Sequence, residues 1–255
     1  MLVQACINGG RSTAEHSRTP ITAEQIAADA VACAAAGAGA LHVHPRDAWG
    51  NQSLRAADVA SVCTAVRSAV PQLPISVTTA AWIERSPEVR LRLIDEWRVL
   101  PDLASVNLAE DGALGLITLL NEMGVGVEAG VWTPDDARLL VDEGLDSACS
   151  RILVEIQDVA GADAALRRAA EIDSILDDGQ VQAPRLHHGE DQATWAVIQR
   201  AMDNGHDVRI GLEDTLVDAR GVIVSGNASL VTMVIERARQ AGRAVDSGAL
   251  SQRLL

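Results

Sequence analysis

Short apolar runs alternate with helix-length amphipathic segments along the whole of this chain, and the alternation repeats eight times. Strand candidates fall at 2–8, 40–44, 75–79, 103–108, 125–130, 151–156, 185–188 and 208–213. The helix candidates that follow them lie at 22–36, 56–70, 86–97, 113–123, 134–143, 162–176, 192–204 and 227–240. Strict β–α alternation calls for parallel strands joined by crossover helices. Eight such units in 255 residues predict a (β/α)8 TIM barrel, with 1–255 forming one domain. The competing arrangement, a doubly wound sheet, would need a G-x-G-x-x-G after the first strand, and none is present.

Local signals agree with these boundaries. Thr22 with Gln25 reads as a capping box, and Thr133-Pro134 as an N-cap followed by proline at the first helical position. Gly37, Gly124 and Gly205 stand just past helix ends, where a left-handed residue closes the last turn. Only 179–184 looks loose, and a stretch that short is a loop rather than a domain boundary.

Composition removes several function classes. The 21 basic residues are all arginine, so chemistry that needs a lysine Schiff base is closed to this chain. There is no tyrosine to act as a phenolic acid or base. Carbonyl chemistry here must therefore be polarised by a metal ion or an arginine. A net charge of −14 argues against nucleic acid as a partner. No apolar run is long enough to span a membrane, so no membrane partner is expected. The opening Met1-Leu2-Val3-Gln4-Ala5-Cys6 lacks a basic leader and reads as a first core strand. Cys6, Cys33, Cys63 and Cys149 show no pairing spacing, which fits reduced thiols and a cytoplasmic protein.

Strand parity then locates the chemistry. Side chains alternate between faces along a strand. One phase carries Gln4, Cys6 and Asn8; His42 and His44; Ser76 and Thr78; Ser105 and Asn107; Arg209, Gly211 and Glu213. The other phase is aliphatic, as in Leu41 and Val43 or Ile210 and Leu212. Five strands thus send polar groups toward the barrel axis, where burial is costly unless each group is paired or coordinates something. His42 and His44 lie on one face at a strand end, and Glu213 lies at the end of the last strand. Two imidazoles and a carboxylate with open positions suit a divalent ion, Zn2+ first, that must also hold substrate.

The remaining candidates have structural readings beside the functional ones. Glu213 could pair with Arg209 or Arg46, and Asp214 could cap a turn. Glu128 and Glu155 lie in apolar strands, as bases or as partners of a buried arginine. His187 and His188 precede Gly189-Glu190-Asp191, and one of the two could face the pocket. His16, beside Arg11 and Arg18 in the first loop, reads as solvated. Trp82 and Trp132 follow strands three and five and could wall a pocket or simply pack.

Three stretches carry a resemblance. They are His42-Val43-His44-Pro45-Arg46-Asp47, Arg209-Ile210-Gly211-Leu212-Glu213-Asp214, and the opening Asn8-Gly9 with Glu15-His16 and Pro20-Ile21-Thr22. Together, in order along essentially the whole chain, they resemble the β-keto acid cleavage enzymes, whose best-known type is the 3-keto-5-aminohexanoate cleavage enzyme. The resemblance implies a metal-bearing barrel that condenses a β-keto acid with acetyl-CoA, giving acetoacetate and a new acyl-CoA. It implies His42, His44 and Glu213 as zinc ligands and Arg209 with Asp214 as a catalytic couple. Glu128 is the further base candidate. Thr78 and Asn107 are the implied substrate contacts, with Asn8 and Arg46 completing the set. Arg11, Arg18 and Arg46 are the nearest groups for an anionic CoA. The family also implies a homo-oligomer, a tetramer.

The chain departs from the family pattern around the substrate end. Ala80-Ala81 replaces Gly-Gly after strand three. Leu108-Ala109-Glu110-Asp111 lacks the usual small-residue run, and strand five keeps one glutamate, Glu128, where many members have two. Two rival readings follow. A metal-dependent barrel hydrolase would also use His-x-His with a late acid, though such enzymes place the pair on strand one. A catalytically inactive metal- or ligand-binding barrel is the other, with intact Arg209, Glu213 and Asp214 against it.

Overall fold

A computed structural model describes residues 1–246. Eight parallel strands close on themselves in chain order, each paired with its sequence neighbours and the last with the first. They are β1 (Val3–Cys6), β2 (Ala40–Val43), β3 (Ile75–Thr78), β4 (Leu103–Asn107), β5 (Gly126–Val131), β6 (Arg151–Ile156), β7 (Arg185–Gly189) and β8 (Asp207–Ile210). The helices that ring them are α1 (Ala23–Ala36), α2 (Ala56–Ala69), α3 (Pro87–Asp95), α4 (Ala113–Glu122), α5 (Pro134–Asp142), α6 (Ala162–Asp178), α7 (Thr194–Asp203) and α8 (Asn227–Gln240). This is the expected (β/α)8 barrel. None of these helices is long and apolar enough to cross a membrane.

The cap signals do what their chemistry requires. Thr22 and Gln25 satisfy each other's backbone donors at the start of α1, and Thr133 and Asp136 do the same for α5. Gly37 ends α1 in the left-handed conformation, with φ of 108°. The four cysteines are free thiols, three of them buried.

Apolar burial is split in two. The larger core fills the space between strands and helices, and holds the aliphatic phase of every strand but β7 together with Ile26, Leu116, Ile172 and Val231. A separate small cluster, Leu2, Ala40, Leu103, Leu153 and Leu186, plugs the interior of the barrel at the N-terminal ends of its strands. Above that plug the interior turns polar, which confines the chemistry to the C-terminal mouth, where barrels of this kind carry function.

β1 to β4 and β8 are shorter than the sequence runs, and the difference matters most at β8. Parity along 208–213 places Glu213 on the same strand face as Arg209. In the structure the strand stops at Ile210, and Glu213 and Asp214 sit in a turn beyond it. The cause is Gly211: a Cβ there would overlap the Cys6 carbonyl, so the chain presses against β1 and turns. The turn is closed by the Asp214 and Thr215 amides donating to the Gly211 carbonyl, 3.0 Å each. Glu213 thus reaches the barrel axis through a turn rather than through strand alternation.

Candidate active site

The mouth holds a cavity of about 320 Å3 lined by residues that include His42, His44, Thr78, Asn107, Glu155, Arg209 and Glu213. His42 ends the run of β2 on the barrel side, and His44 follows just past the strand. The Nε2 atoms of His42 and His44 lie 3.9 and 3.4 Å from Glu213 Oε1. Among the described residues these three form one of two groups whose donor atoms could share an ion.

Each ring is held by its other nitrogen. His42 Nδ1 stands 3.0 Å from the Ser76 hydroxyl, which in turn donates to Glu128 Oε2. His44 Nδ1 stands 2.5 Å from Gln52 Oε1, and its ring stacks on Trp82 with an interplanar angle of 19°. Such outer contacts fix tautomer and orientation, leaving Nε2 as the free ligand atom on both rings. Burial, with Arg209 and His44 adding to it against the pull of Glu213, holds His42 well below its usual pKa and therefore neutral. Burial opposes ionisation of Glu213, but Arg209 above all, with His44 beside it, outweighs it and keeps the carboxyl well below the ordinary range.

Glu213 Oε2 is buried without a hydrogen-bond partner. A buried carboxylate oxygen left bare is costly, and a divalent ion at the two Nε2 atoms would satisfy it. The donor set therefore fits a metal. Gly9 makes room for it: with φ of 48° it tolerates a backbone that other residues avoid, and a side chain there would strike the Glu213 stem.

Beside the three ligand candidates, Arg209 Nη2 donates to Glu213 Oε1 at 2.6 Å and to Asp214 Oδ1 at 3.1 Å. Asp214 is 1% exposed and stands behind Arg209 rather than on the cavity wall. Its Oδ2 accepts the Cys6 thiol at 2.8 Å, and its Oδ1 lies 3.2 Å from His188 Nδ1. Burial works against its charge, yet Arg209 and His188 hold Asp214 below the usual carboxylate range. Opposing burial, Asp214 and Glu213 raise Arg209 well above its normal value, so it stays a cation.

The other sequence candidates divide. Thr78 and Asn107 line the cavity; the Asn107 amide donates to Glu110 Oε1 at 2.8 Å, which fixes its orientation. Asn8, Arg46 and Glu128 do not line it. Asn8 clips the end of β2, accepting from the His44 amide and donating to the His44 carbonyl, each at 2.9 Å. Arg46 donates to the carbonyls of Gly9, Arg11 and Gly50 and so shapes the first loop. Glu128 is fully buried beneath His42, where it pairs with Arg151 at 2.9 Å and accepts from Gln4 at 2.8 Å. Arg11 lines the mouth but is engaged by Glu15 and Asp191, and Arg18 opens on a different recess. His16 is buried rather than solvated, 7% exposed, because its Nε2 meets the Val224 carbonyl at 2.9 Å and ties the first loop to the last.

Two residues of the mouth gain weight in the structure. Glu155 lines the cavity, 5% exposed, with Oε2 accepting from Trp132 at 3.2 Å and Gln157 at 2.9 Å. Burial disfavours its charge, but His188 and Arg209 hold it ionised. His188 lies between Glu155 and Asp214. The register of the barrel picks out both: Glu155 pairs with His188 across β6 and β7, in phase with Arg151 and with Leu186. Gln52, which orients His44, comes from a loop and has no sequence signal.

The chain has relatives among known proteins. The chain is 23% identical to the 3-keto-5-aminohexanoate cleavage enzyme of Acetoanaerobium sticklandii over 289 residues, covering 100% of this chain and 97% of that one. It is also 23% identical to the enzyme of the same name from Fusobacterium nucleatum, over 96% of this chain and 93% of the relative. Among solved structures the ligand-free form of ObcA superposes with a TM-score of 0.73 at 18% identity, over 92% of this chain; this chain spans only 64% of ObcA. A ternary complex of ObcA with a C4-CoA adduct and oxalate gives the same score and covers 66% of that chain. The profile of the beta-keto acid cleavage enzyme family matches residues 1–255 without a break, and the chain belongs to that family.

Proposed function

We propose that the protein condenses a β-keto acid with acetyl-CoA and cleaves the product to acetoacetate and a new acyl-CoA. One observation carries the reading: His42, His44 and the orphaned Glu213 oxygen converge in the cavity that Arg209 lines, with Asp214 paired behind it. A divalent ion, Zn2+ first, held by His42, His44 and Glu213 would supply Lewis-acid polarisation of the keto acid's oxygens and so acidify its C2 proton.

The chain's own groups account for the rest. Thr78 and Asn107 offer polar atoms to the carboxylate head. Arg209, fixed by two carboxylates, is a permanent cation facing the negative charge that develops as C2 loses its proton. Once C2 is deprotonated, it bonds to the acetyl carbonyl carbon, and the thioester C–S bond breaks to release CoA as its thiolate. That thiolate adds to the original ketone carbon, and the bond between that carbon and C2 breaks, leaving its electron pair on C2. C2 takes back the proton it first gave up and leaves as acetoacetate, and the remaining acyl group is carried away on CoA. Arg11 at the mouth is the nearest cation for CoA phosphates. ObcA, which shares the fold, accommodates a CoA adduct.

Asp214 is our first choice as proton acceptor, acting as one unit with Arg209. The guanidinium stands between Asp214 and the cavity, so the carboxylate that faces the cavity directly, Glu155, is the alternative. For the substrate tail, Glu155, Glu15, Glu190 and Asp191 on the wall and the face of Trp82 favour a neutral or cationic group over an anionic one. The test is acetyl-CoA-dependent acetoacetate formation with 3-oxohexanoate, 3-keto-5-aminohexanoate and 3-oxoadipate. Turnover of the first two above the third supports the reading. Hydrolysis of simple esters or amides, with no acetoacetate from any keto acid, would replace it with the hydrolase.

A further inference from the structure

His188 takes no part in the ligand set and does not line the cavity, yet it stands between two carboxylates of the mouth. It lies on β7, 1% exposed, with its two ring nitrogens aimed at two different carboxylates. Nδ1 is 3.2 Å from Asp214 Oδ1, and Nε2 is 3.5 Å from Glu155 Oε2. Neither contact is a well-aligned hydrogen bond, so both are held by charge rather than by ideal geometry. The same Asp214 oxygen receives Arg209 at 3.1 Å. The two carboxylates that His188 joins are the two candidate proton acceptors of the reaction, one on the cavity wall and one behind Arg209.

We infer that His188 is a positioning residue for the chemistry at this mouth: by bridging Glu155 and Asp214 it fixes Asp214 against Arg209 and sets the direction in which the guanidinium faces the substrate. The charges require it. Asp214, Glu155 and Glu213 place three carboxylates around one guanidinium; a divalent ion held by Glu213 would answer that carboxylate, and the buried pair Asp214 and Glu155 still calls for a cation besides Arg209. His188 is that cation. Burial and Arg209 push its ring toward neutral, but Asp214 and Glu155 prevail and raise it to about 9. The charged groups around it are Glu155 on β6, Glu190 at the end of β7, and Arg209, Glu213 and Asp214 on and after β8. Without the imidazolium, Asp214 keeps Arg209 and the Cys6 thiol, and Glu155 keeps two neutral donors, Trp132 and Gln157, and the charge of Arg209 without a direct contact to it.

This role rests on the proposed reaction, but one arm of its test does not. In 15N NMR of histidine-labelled protein at pH 7.5, one ring should carry both nitrogens protonated, and that signal should vanish in His188→Gln. In Glu155→Gln it should lose its proton at lower pH than in wild type. A neutral His188 ring at pH 7.5 overturns the inference whether or not any keto acid is turned over. In the kinetic arm His188→Gln should lower kcat about 10–100-fold, the range for losing an outer partner that orients a reacting group. KM and metal content should hold, and the wild-type fall in kcat above pH 9 should disappear. A kcat within threefold of wild type refutes the positioning role. If His188→Gln fails to fold, His188→Asn with the wild-type NMR measurement decides by the same criteria.

Discussion

Two groups of histidine and carboxylate in this barrel look alike in composition and differ in everything that decides chemistry. His42, His44 and Glu213 meet inside the barrel; Asp173, His187 and His206 meet outside it, where α6 packs on β7 and the start of β8. The inner pair is spaced i, i+2, so both rings share a face, and they stand edge to face with an interplanar angle of 76°. Their ring planes intersect, which lets both Nε2 lone pairs point at one ion. The outer rings are stacked, 4.5 Å apart at 18°. Lone pairs lie in the ring planes, so near-parallel stacked rings aim at separate points. Charge separates the groups again. Glu213 keeps a bare oxygen, whereas Asp173 is already paired with Arg185 at 3.1 Å and with Arg200, and stays ionised although burial opposes it. A dication there would face two guanidiniums. The inner group is built for a ligand and the outer one for holding a helix to the barrel.

The largest effect that sharpens this contrast is on metal content. Purified protein should carry one divalent ion per chain, and His42→Ala should lose it along with turnover. His187→Ala should keep it. Equal loss in both variants would erase the distinction.

Next comes the chemistry behind the ligands. Asp214→Asn should reduce kcat about 10²–10⁴-fold, the usual cost of losing a general base, with metal and melting temperature near wild type. Glu155→Gln should cost less. The reverse order would move the proton to Glu155.

A stability effect is expected at the outer group. Asp173→Asn leaves Arg185 and Arg200 without their shared partner, and breaking a buried pair in this way costs about 3–5 kcal/mol. Chemical denaturation should show that loss while metal content and kcat of the folded fraction stay unchanged.

The smallest effect is a pH dependence. Burial and the neighbouring His187 depress His206 to about 4, below its unfolded value. Between that value and about 6.5 the unfolded chain binds the extra proton and the folded one does not. Stability should therefore fall as pH drops from about 6.5 toward 4. His206→Asn should flatten that slope in a series of melting curves; an unchanged slope would place the titration elsewhere.

The same contrast explains what could be read in advance. Strand parity in β1 to β4 exposes the polar phase because its partner phase is purely aliphatic, and His-x-His is legible for that reason. His187 and His188 are adjacent, so one must point outward and one inward, but nothing local says which, since Leu186 and Gly189 fit either face. Glu128 and Glu155 share the barrel interior, and only depth separates them: one lies under His42 on Arg151, the other on the cavity wall. Depth depends on the stagger between strands, which sequence alone does not display. Asn8 and Arg46 sit within the most distinctive motifs, yet the Asn8 amide and the Arg46 Nη2 group donate to the backbone of Pro20, His44, Gly9 and Arg11. A motif marks residues needed at the site without distinguishing those that meet the substrate from those that hold the loop.

One isotope experiment goes to the heart of the proposed reaction. Protein supplied with a β-keto acid and acetyl-CoA labelled with 13C in both acetyl carbons should release acetoacetate labelled at C3 and C4, with unlabelled acyl-CoA, and His42→Ala should release neither. Unlabelled acetate and a free carboxylic acid, formed equally well without acetyl-CoA, would show hydrolytic cleavage and contradict the account.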